Sequence, residues 1–147
     1  MITIKEMAEM LGISTTTVSN VINGKTSEVS QKTAEKVQKL LDEYDYVPNM
    51  NAKNLAQNHS RLIGIVLKRR KDKYENIFTD PFHGELLGAL ESAIREQGYY
   101  MIIYISEDIE EIVRNIVGWN TEGLILIGML HDDYLKIRSK YKKPAVL

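Results

Sequence analysis

A polar stretch near the amino terminus carries side chains that could read the edges of DNA bases. It contains four short hydrogen-bond donors and acceptors, namely Thr15, Thr16, Ser19 and Asn20. Apolar residues recur between them at helical spacing, so a helix would turn the polar side chains outward. Such a helix can enter a major groove, where short polar side chains suit base edges and phosphates. The alternative is a three-helix bundle with a polar second helix, and the spacing alone leaves both open.

The residues before this stretch predict the turn that would present it. Thr3 and Glu6 form a T-x-x-E capping box, which predicts the start of a first helix, and Gly12 ends that helix. Ser14 is a suitable N-cap for a second helix. Ala8 is small enough to let the two helices pack closely. The pattern therefore predicts a helix-turn-helix.

A third helix and a weak linker follow. Asn23 and Gly24 end the second helix, Ser30 caps the third, and Pro48 prevents its continuation. Residues 49–58 contain four Asn, few apolar residues and no strong cap. An isolated helix there would be marginal, because nucleation is costly. We expect a linker that becomes helical when something holds it.

From residue 61 onward, strands alternate with helices. Apolar runs predict strands at 62–67, 99–105, 123–128 and from 144 onward, with helices at 82–97, 109–117 and 133–141. This alternation predicts a parallel α/β sheet. The sequence thus predicts an all-α headpiece over residues 1–47, a hinge over 48–60 and a partial α/β domain over 61–147. Because the chain stops inside its fourth strand, we expect a piece of a longer protein.

The composition excludes several classes of function. The 147 residues carry a formal charge of −1 and no Cys, which excludes a disulfide framework, a thiolate metal site and a Cys nucleophile. Three His lie far apart, and no metalloprotease, G-x-S-x-G or P-loop pattern is present. We therefore expect no enzyme, no metal and no cofactor. The sequence has no apolar run of about 18 residues, so we expect no transmembrane helix and no membrane partner. The absence of Cys fits a reducing compartment, and we expect a cytoplasmic location.

Residues 3–8 and 14–24 resemble, in order and spacing, the headpiece of the lactose-repressor/galactose-repressor (LacI/GalR) family. The stretch from Ser14 to Asn23 is especially similar to the purine repressors of that family. The resemblance continues through Val29-Ser30, residues 46–49 and Leu55-Ala56 to Ile63-Gly64. A looser likeness over the rest implies a fold similar to periplasmic sugar-binding proteins, of which residues 61–147 would form the beginning.

The resemblance implies a transcriptional regulator, which we expect to be a repressor. It would bind double-stranded operator DNA as a homodimer on a pseudo-palindromic site. Thr15, Thr16 and Asn20 would face base edges in the major groove. Five further residues would lie near phosphates, namely Thr3, Ser14, Ser19, Asn23 and Ser30.

Residues 49–56 would form the hinge helix of such a regulator. In the family this helix folds when two copies meet in the minor groove. Lys53 would lie toward the DNA, and Leu55 would wedge between the central base pairs and kink the duplex. The alternative for Leu55 is a buried anchor against the neighbouring domain.

The resemblance also implies a small-molecule effector, a sugar or a nucleobase-like compound, at the carboxyl ends of the strands. Candidate contacts are Asp80, Phe82, Ser106 and Met129. Phe82 could stack on the effector or cap the helix start in the core, and for Asp80 a helix N-cap is favoured over a ligand contact. The basic run 68–73 could meet DNA or an anionic effector, although a solvated loop is favoured.

The charge of the first 60 residues is unusual for a DNA-binding segment. They contain six Lys, no Arg and seven acidic residues. Phosphate affinity would therefore depend on the placement of a few lysines, and we expect weak non-specific binding with a shallow salt dependence. The competing hypothesis is a sugar-binding α/β protein that does not bind DNA.

Overall fold

The computed structural model describes residues 1–69 and 76–147. The contacts divide them into two compact units, Met1–Lys53 and Asn54–Leu147. The division falls inside the predicted hinge segment 48–60. Of the basic run 68–73, only Lys68 and Arg69 lie within the described residues. Lys68 is the last residue of the strand Leu62–Lys68, so the interpretation as a solvated loop was wrong for Lys68, and for the residues outside the described ranges it stays a prediction.

Three helices build the first unit. Their bounds are α1 Ile4–Leu11, α2 Thr15–Ile22 and α3 Gln31–Glu43. The predicted capping box is present, with the Thr3 hydroxyl accepting from the Glu6 backbone N–H at 3.2 Å and Glu6 accepting from the Thr3 backbone N–H at 2.8 Å. A short 3-10 helix over Thr26–Glu28, which the sequence did not predict, connects α2 to α3.

The core of this unit is small. It is centred on four buried side chains, one or two from each helix, namely Met7, Ala8, Val18 and Val37. Val18 is fully buried, as the helix-turn-helix pattern requires. Half-buried apolar side chains from all three helices surround these four. Burial of Val18 fixes the rotation of α2 and therefore decides which of its side chains face solvent.

The weak segment after Pro48 is helical. Helix α4 spans Met50–Gln57. The Asn49 side chain accepts hydrogen bonds from the backbone N–H of Asn51 at 3.0 Å and of Ala52 at 3.3 Å. The expectation of no strong cap was therefore wrong, because Asn49 satisfies two of the backbone donors that a helix start leaves free.

The second unit is a parallel sheet with helices. Its strands are β1 Leu62–Lys68, β2 Tyr100–Ser106, β3 Gly123–Ile127 and β4 Ala145–Val146. Its helices are α5 Pro81–Glu96, α6 Ile109–Gly118 and α7 His131–Lys140, with a short 3-10 helix over Ile77–Thr79. The strand order is β2-β1-β3-β4 and every pairing is parallel. The predicted parallel α/β architecture is confirmed.

Successive residues of β1 supply the two faces of the sheet. Val66 packs with α6 and α7 on one face, whereas Ile65 and Leu67 pack with α5 on the other. A Cβ at Gly64, where β1 meets β3, would lie 2.7 Å from Cδ2 of Leu124, so the Leu124 side chain would have to shift. Among the residues that the structure describes, no helix combines the length and apolar character needed to cross a membrane.

Glu122 ties the segment before β1 to the start of β3. Its carboxylate accepts from the backbone N–H of Arg61 at 2.9 Å and lies 3.3 Å from Nδ1 of His59. The Arg61 hydrogen bond lowers the pKa of Glu122 below its usual value, burial opposes this shift, and His59 adds to the lowering. The ionised carboxylate therefore stabilises the fold above its ordinary pKa of 4.5, and this contribution is lost as the pH falls through the lowered pKa.

We expect Glu122→Gln to lower the free energy of unfolding by about 1 kcal/mol at pH 7, since a hydrogen bond to a charged acceptor is weakened. The deficit should shrink on acidification, as the wild-type carboxylate becomes protonated. Urea unfolding at pH 7 and at successively lower pH measures this. Glu96→Gln, an exposed change on α5, is the control, and an equal deficit at every pH would contradict the account.

Candidate nucleic-acid interface

Helix α2 presents its polar side chains at the surface. Thr15 and Thr16 are exposed, while Ser19 and Asn20 are half-buried at the edge of the same face. The Ser14 hydroxyl caps the helix by accepting from the backbone N–H of Thr17 at 3.1 Å. Thr15 and Thr16 therefore face outward, with Ser19 and Asn20 partly exposed beside them and Val18 buried beneath, and this arrangement is suited to reading base edges.

Three side-chain hydroxyls lie at exposed helix starts, one for each of α1, α2 and α3. Each belongs to an N-cap, namely Thr3, Ser14 and Ser30. Ser30 accepts from the backbone N–H of Thr33 at 3.3 Å, and its own hydroxyl donates to that of Thr33 at 2.8 Å. Helix starts favour anions, so the starts at Ser14 and Ser30 are suited to phosphates. At the start of α1, the Glu6 carboxylate already accepts from the backbone N–H and the hydroxyl of Thr3, both at 2.8 Å.

The end of α2 is closed by Asn23. Its amide Nδ2 donates to the Ser19 carbonyl at 2.9 Å and to the Ser19 hydroxyl at 3.2 Å. Asn23 itself is exposed. Ser19 and Asn23, two of the five residues expected near phosphates, are therefore hydrogen-bonded to each other.

Sequence reasoning missed a contact of Asn20. Its amide Nδ2 donates to Oε2 of Glu28 at 3.1 Å, so an acidic side chain of the 3-10 helix lies beside the reading face. The two residues are eight apart, and they meet because the chain reverses at Asn23 and Gly24, where Gly24 has φ of 73°. The sequence does show Glu28 shortly after the Asn23-Gly24 turn. Helical spacing could not predict its contact with α2, however, because Glu28 lies outside that helix.

The predicted hinge residues lie on α4. Leu55 is 85% exposed, so the alternative of a buried anchor was wrong. Lys53 is half-buried.

The residues predicted to contact an effector are not gathered in one place. Asp80 caps α5 by accepting from the Phe82 backbone N–H at 3.0 Å, and its other oxygen lies 2.7 Å from Nδ1 of His83. Asp80 therefore has the favoured capping role. Phe82 is 65% exposed, so it does not cap the helix start in the core.

An open cavity of about 610 Å³ lies at the carboxyl ends of β1 and β2. Of the four candidates it contains only Ser106, beside Arg69, Phe78 and Glu111. The Ser106 hydroxyl donates to Glu111 at 2.6 Å. Hydrogen bonds from Ser106 and from Tyr104 lower the pKa of Glu111, against the effect of burial, so this carboxylate is held ionised at the cavity wall.

Met129 does not line this cavity. Only 9% of it is exposed, and it packs in the core with residues of α6 and α7. Its assignment as an effector contact is corrected here. Met129 lies two residues after the end of β3, where a side chain can turn either toward the cleft or into the core, and an apolar side chain gains more by burial.

Lys68 ends β1 with its ammonium 2.6 Å from Oδ2 of the buried Asp133. Burial raises the pKa of Asp133. A hydrogen bond from Lys68, a second from the Leu130 backbone N–H and the positive charge of Lys68 together outweigh this effect and hold the pKa below its usual value. An ion pair therefore lies at the carboxyl end of β1.

Within the described ranges, 1–69 and 76–147, no group of three or more His, Asp or Glu side chains is placed to hold a metal ion.

Comparison with known proteins identifies the first unit. Residues 3–49 match the family model described as bacterial regulatory proteins, lacI family. The HTH-type transcriptional repressor PurR of Vibrio campbellii is 35% identical over 131 residues, which are 86% of this chain and 36% of that protein. The HTH-type transcriptional regulator MalR of Streptococcus pneumoniae is 31% identical over 138 residues, covering 91% of this chain and 41% of that protein.

A solved structure extends the likeness over both units. The lac repressor dimer bound to operator and the anti-inducer ONPF matches with a TM-score of 0.81 and 27% identity. That match covers 98% of this chain and 43% of the repressor chain. The chain thus spans well under half the length of the relatives it matches.

Proposed function

The chain belongs to the lacI family of bacterial regulatory proteins, and from this premise we propose that it is a sequence-specific DNA-binding regulator of transcription that acts as a repressor. The observation that carries the proposal is the outward polar face of α2 over the buried Val18, within the segment that the family model matches. The names of the relatives, a transcriptional repressor and a transcriptional regulator, support a non-enzymatic role in the cytoplasm, where the DNA lies.

In the proposed complex, α2 lies in the major groove. Thr15, Thr16 and Asn20 face base edges, and neutral hydroxyls and amides there read hydrogen-bonding patterns without adding charge. The exposed helix starts capped by Thr3, Ser14 and Ser30, together with Ser19 and Asn23, approach phosphates.

Two copies are needed for useful affinity. A single headpiece of this size buries little surface on DNA, and linking two of them raises the effective concentration of the second. A dimer would place two α2 helices on the half-sites of a pseudo-palindrome. The paired α4 helices would enter the minor groove between them, with Lys53 near phosphates and Leu55 wedged at the central step. The 85% exposure of Leu55 in a single chain supports this role, because a wedge must be free to enter the duplex.

The second unit is proposed to take part in effector control. The open cavity at the carboxyl ends of β1 and β2 lies where open parallel sheets bind ligands. Its mixed wall, with Ser106, Glu111 and Phe78, offers hydrogen bonds and an aromatic edge suited to a sugar or a nucleobase-like compound. The competing hypothesis of a sugar-binding protein without DNA binding is disfavoured by the match over residues 3–49.

The decisive experiment compares the chain with a variant that lacks residues 1–60. Selection from a random duplex pool supplies the probe, called the selected duplex below. The intact chain is expected to shift this duplex in a gel and to leave a scrambled duplex free, whereas the shortened variant shifts neither. Equal binding of the selected duplex by both proteins would contradict the proposal.

The salt dependence of DNA binding should be shallow. The charged residues proposed to approach phosphates are four lysines, namely Lys25, Lys32, Lys36 and Lys53, so few counterions are released on binding. We expect the logarithm of the association constant to fall with the logarithm of salt concentration with a slope no steeper than about −4 per chain. Fluorescence anisotropy across a salt series measures the slope, and a value near −10 per chain would contradict the proposed contacts.

A further inference from the structure

The reading face of α2 includes a negative charge. Glu28 is exposed on the 3-10 helix, and its carboxylate accepts from Nδ2 of Asn20 at 3.1 Å. Within the described part of the chain, no Lys, Arg or His forms an ion pair with Glu28. The carboxylate is therefore directed at one polar partner, the residue proposed to face a base.

This contact fixes the orientation of the Asn20 amide. A carboxylate only accepts hydrogen bonds, so the amide nitrogen rather than the oxygen must face Glu28. The Asn20 Oδ1 is then left as the outward acceptor. The nitrogen keeps one hydrogen, since an amide has two and Glu28 takes one.

We propose that Glu28 is a specificity-determining residue, which orients Asn20 and makes the chain reject guanine at the base that Asn20 faces. The inference rests on the proposed function. An outward Oδ1 beside a carboxylate forms an acceptor-rich surface, which suits the exocyclic amino group of adenine or cytosine. Adenine also offers N7 to the remaining amide hydrogen. Guanine also offers N7 to that hydrogen, but its O6 then lies opposite Asn20 Oδ1, so two acceptors face each other and guanine is disfavoured.

The two effects of the Glu28 charge can be separated by experiment. A carboxylate near the duplex repels phosphates whatever the sequence, so removal of its charge raises affinity for all DNA. Orientation of the Asn20 amide concerns one base pair in each half-site. A change in the ranking of bases at that pair alone therefore reports the proposed role.

The test uses the intact chain. The base pair that Asn20 faces is first identified as the position where Asn20→Ala loses its base preference. The probes are the selected duplex and three variants of it that carry each of the other base pairs at this position. Anisotropy gives the four affinities for each protein. Glu28→Gln provides an amide that can both donate and accept, so the Asn20 amide is no longer held in one orientation. We expect the penalty for guanine to fall about tenfold, which is within the usual range for one base contact.

Two further variants complete the design. Glu43→Gln removes the same charge at an exposed position at the end of α3 and should leave the ranking of bases unchanged. Glu28→Asp keeps an acceptor and should restore part of the guanine penalty. In the free chain, Glu28→Gln should also shift the side-chain amide NMR signals of Asn20, while backbone signals elsewhere in the first unit stay in place.

The outcomes are distinguishable. An unchanged ranking of the four bases in Glu28→Gln, or an equal change in Glu43→Gln, overturns the inference and leaves the proposed function standing. Full retention of base preference by Asn20→Ala also overturns it, because Asn20 then faces no base. Failure of the wild-type chain to discriminate the selected duplex from a scrambled one overturns the proposed function and this inference together.

Discussion

Replacing Met7 with alanine is expected to unfold the first unit and to abolish DNA binding. Met7 is fully buried at the centre of the small cluster that holds α1, α2 and α3 together. Truncation of a buried Met costs about 2–5 kcal/mol, because apolar contacts are lost and a cavity remains. A unit of 53 residues has a total stability of about the same size, so most of it would be lost.

Backbone NMR signals measure this effect for the two units separately. In Met7→Ala, the dispersed signals of residues 1–53 should collapse, and those of the second unit should persist. Met10→Ala is the matched control on the same helix, since Met10 is 55% exposed and its truncation should cost less than about 0.5 kcal/mol. A folded first unit in Met7→Ala would show that the cluster is not its main source of stability.

The double substitution Thr16→Ala with Asn20→Ala is expected to remove most sequence preference while leaving non-specific binding intact. Each base contact is worth about 1–3 kcal/mol, so the combined loss for the selected duplex should be about a hundredfold or more. Neither residue carries charge, so binding to a scrambled duplex, which depends on phosphates, should stay the same.

Anisotropy with both duplexes measures the two affinities. Gln38→Ala, which removes an exposed polar side chain from α3, is the control and should change neither. A uniform loss on both duplexes would instead assign Thr16 and Asn20 to the phosphate backbone.

The helices of the first unit were predictable from sequence because their signals are local. Thr3, Ser14 and Ser30 each bond a backbone N–H three residues ahead, so short motifs predict the starts. Strands of the second unit were equally visible as apolar runs. Their order, with β1 between β2 and β3, depends on packing between distant segments, and local patterns do not contain it.

The features that could not be predicted from the sequence depend on contacts between residues that no regular spacing connects. Asn20 and Glu28 meet across a turn, and the 3-10 helix that presents Glu28 is only three residues long. Asn49 could be assigned as a cap only once α4 was seen to form. Met129 turned inward because the core offered it burial, and a residue that follows a strand carries no pattern for that choice.

The central claim is that the outward face from Thr15 to Asn20 recognises base edges. Parallel selections from one random duplex pool, with the wild-type chain and with the Thr16→Ala, Asn20→Ala variant, test it most directly. The wild-type chain should enrich a pseudo-palindromic motif, and the variant should lose preference at one or two pairs in each half-site. Identical motifs from both proteins would contradict the claim, as would the absence of any enriched sequence with the wild-type chain.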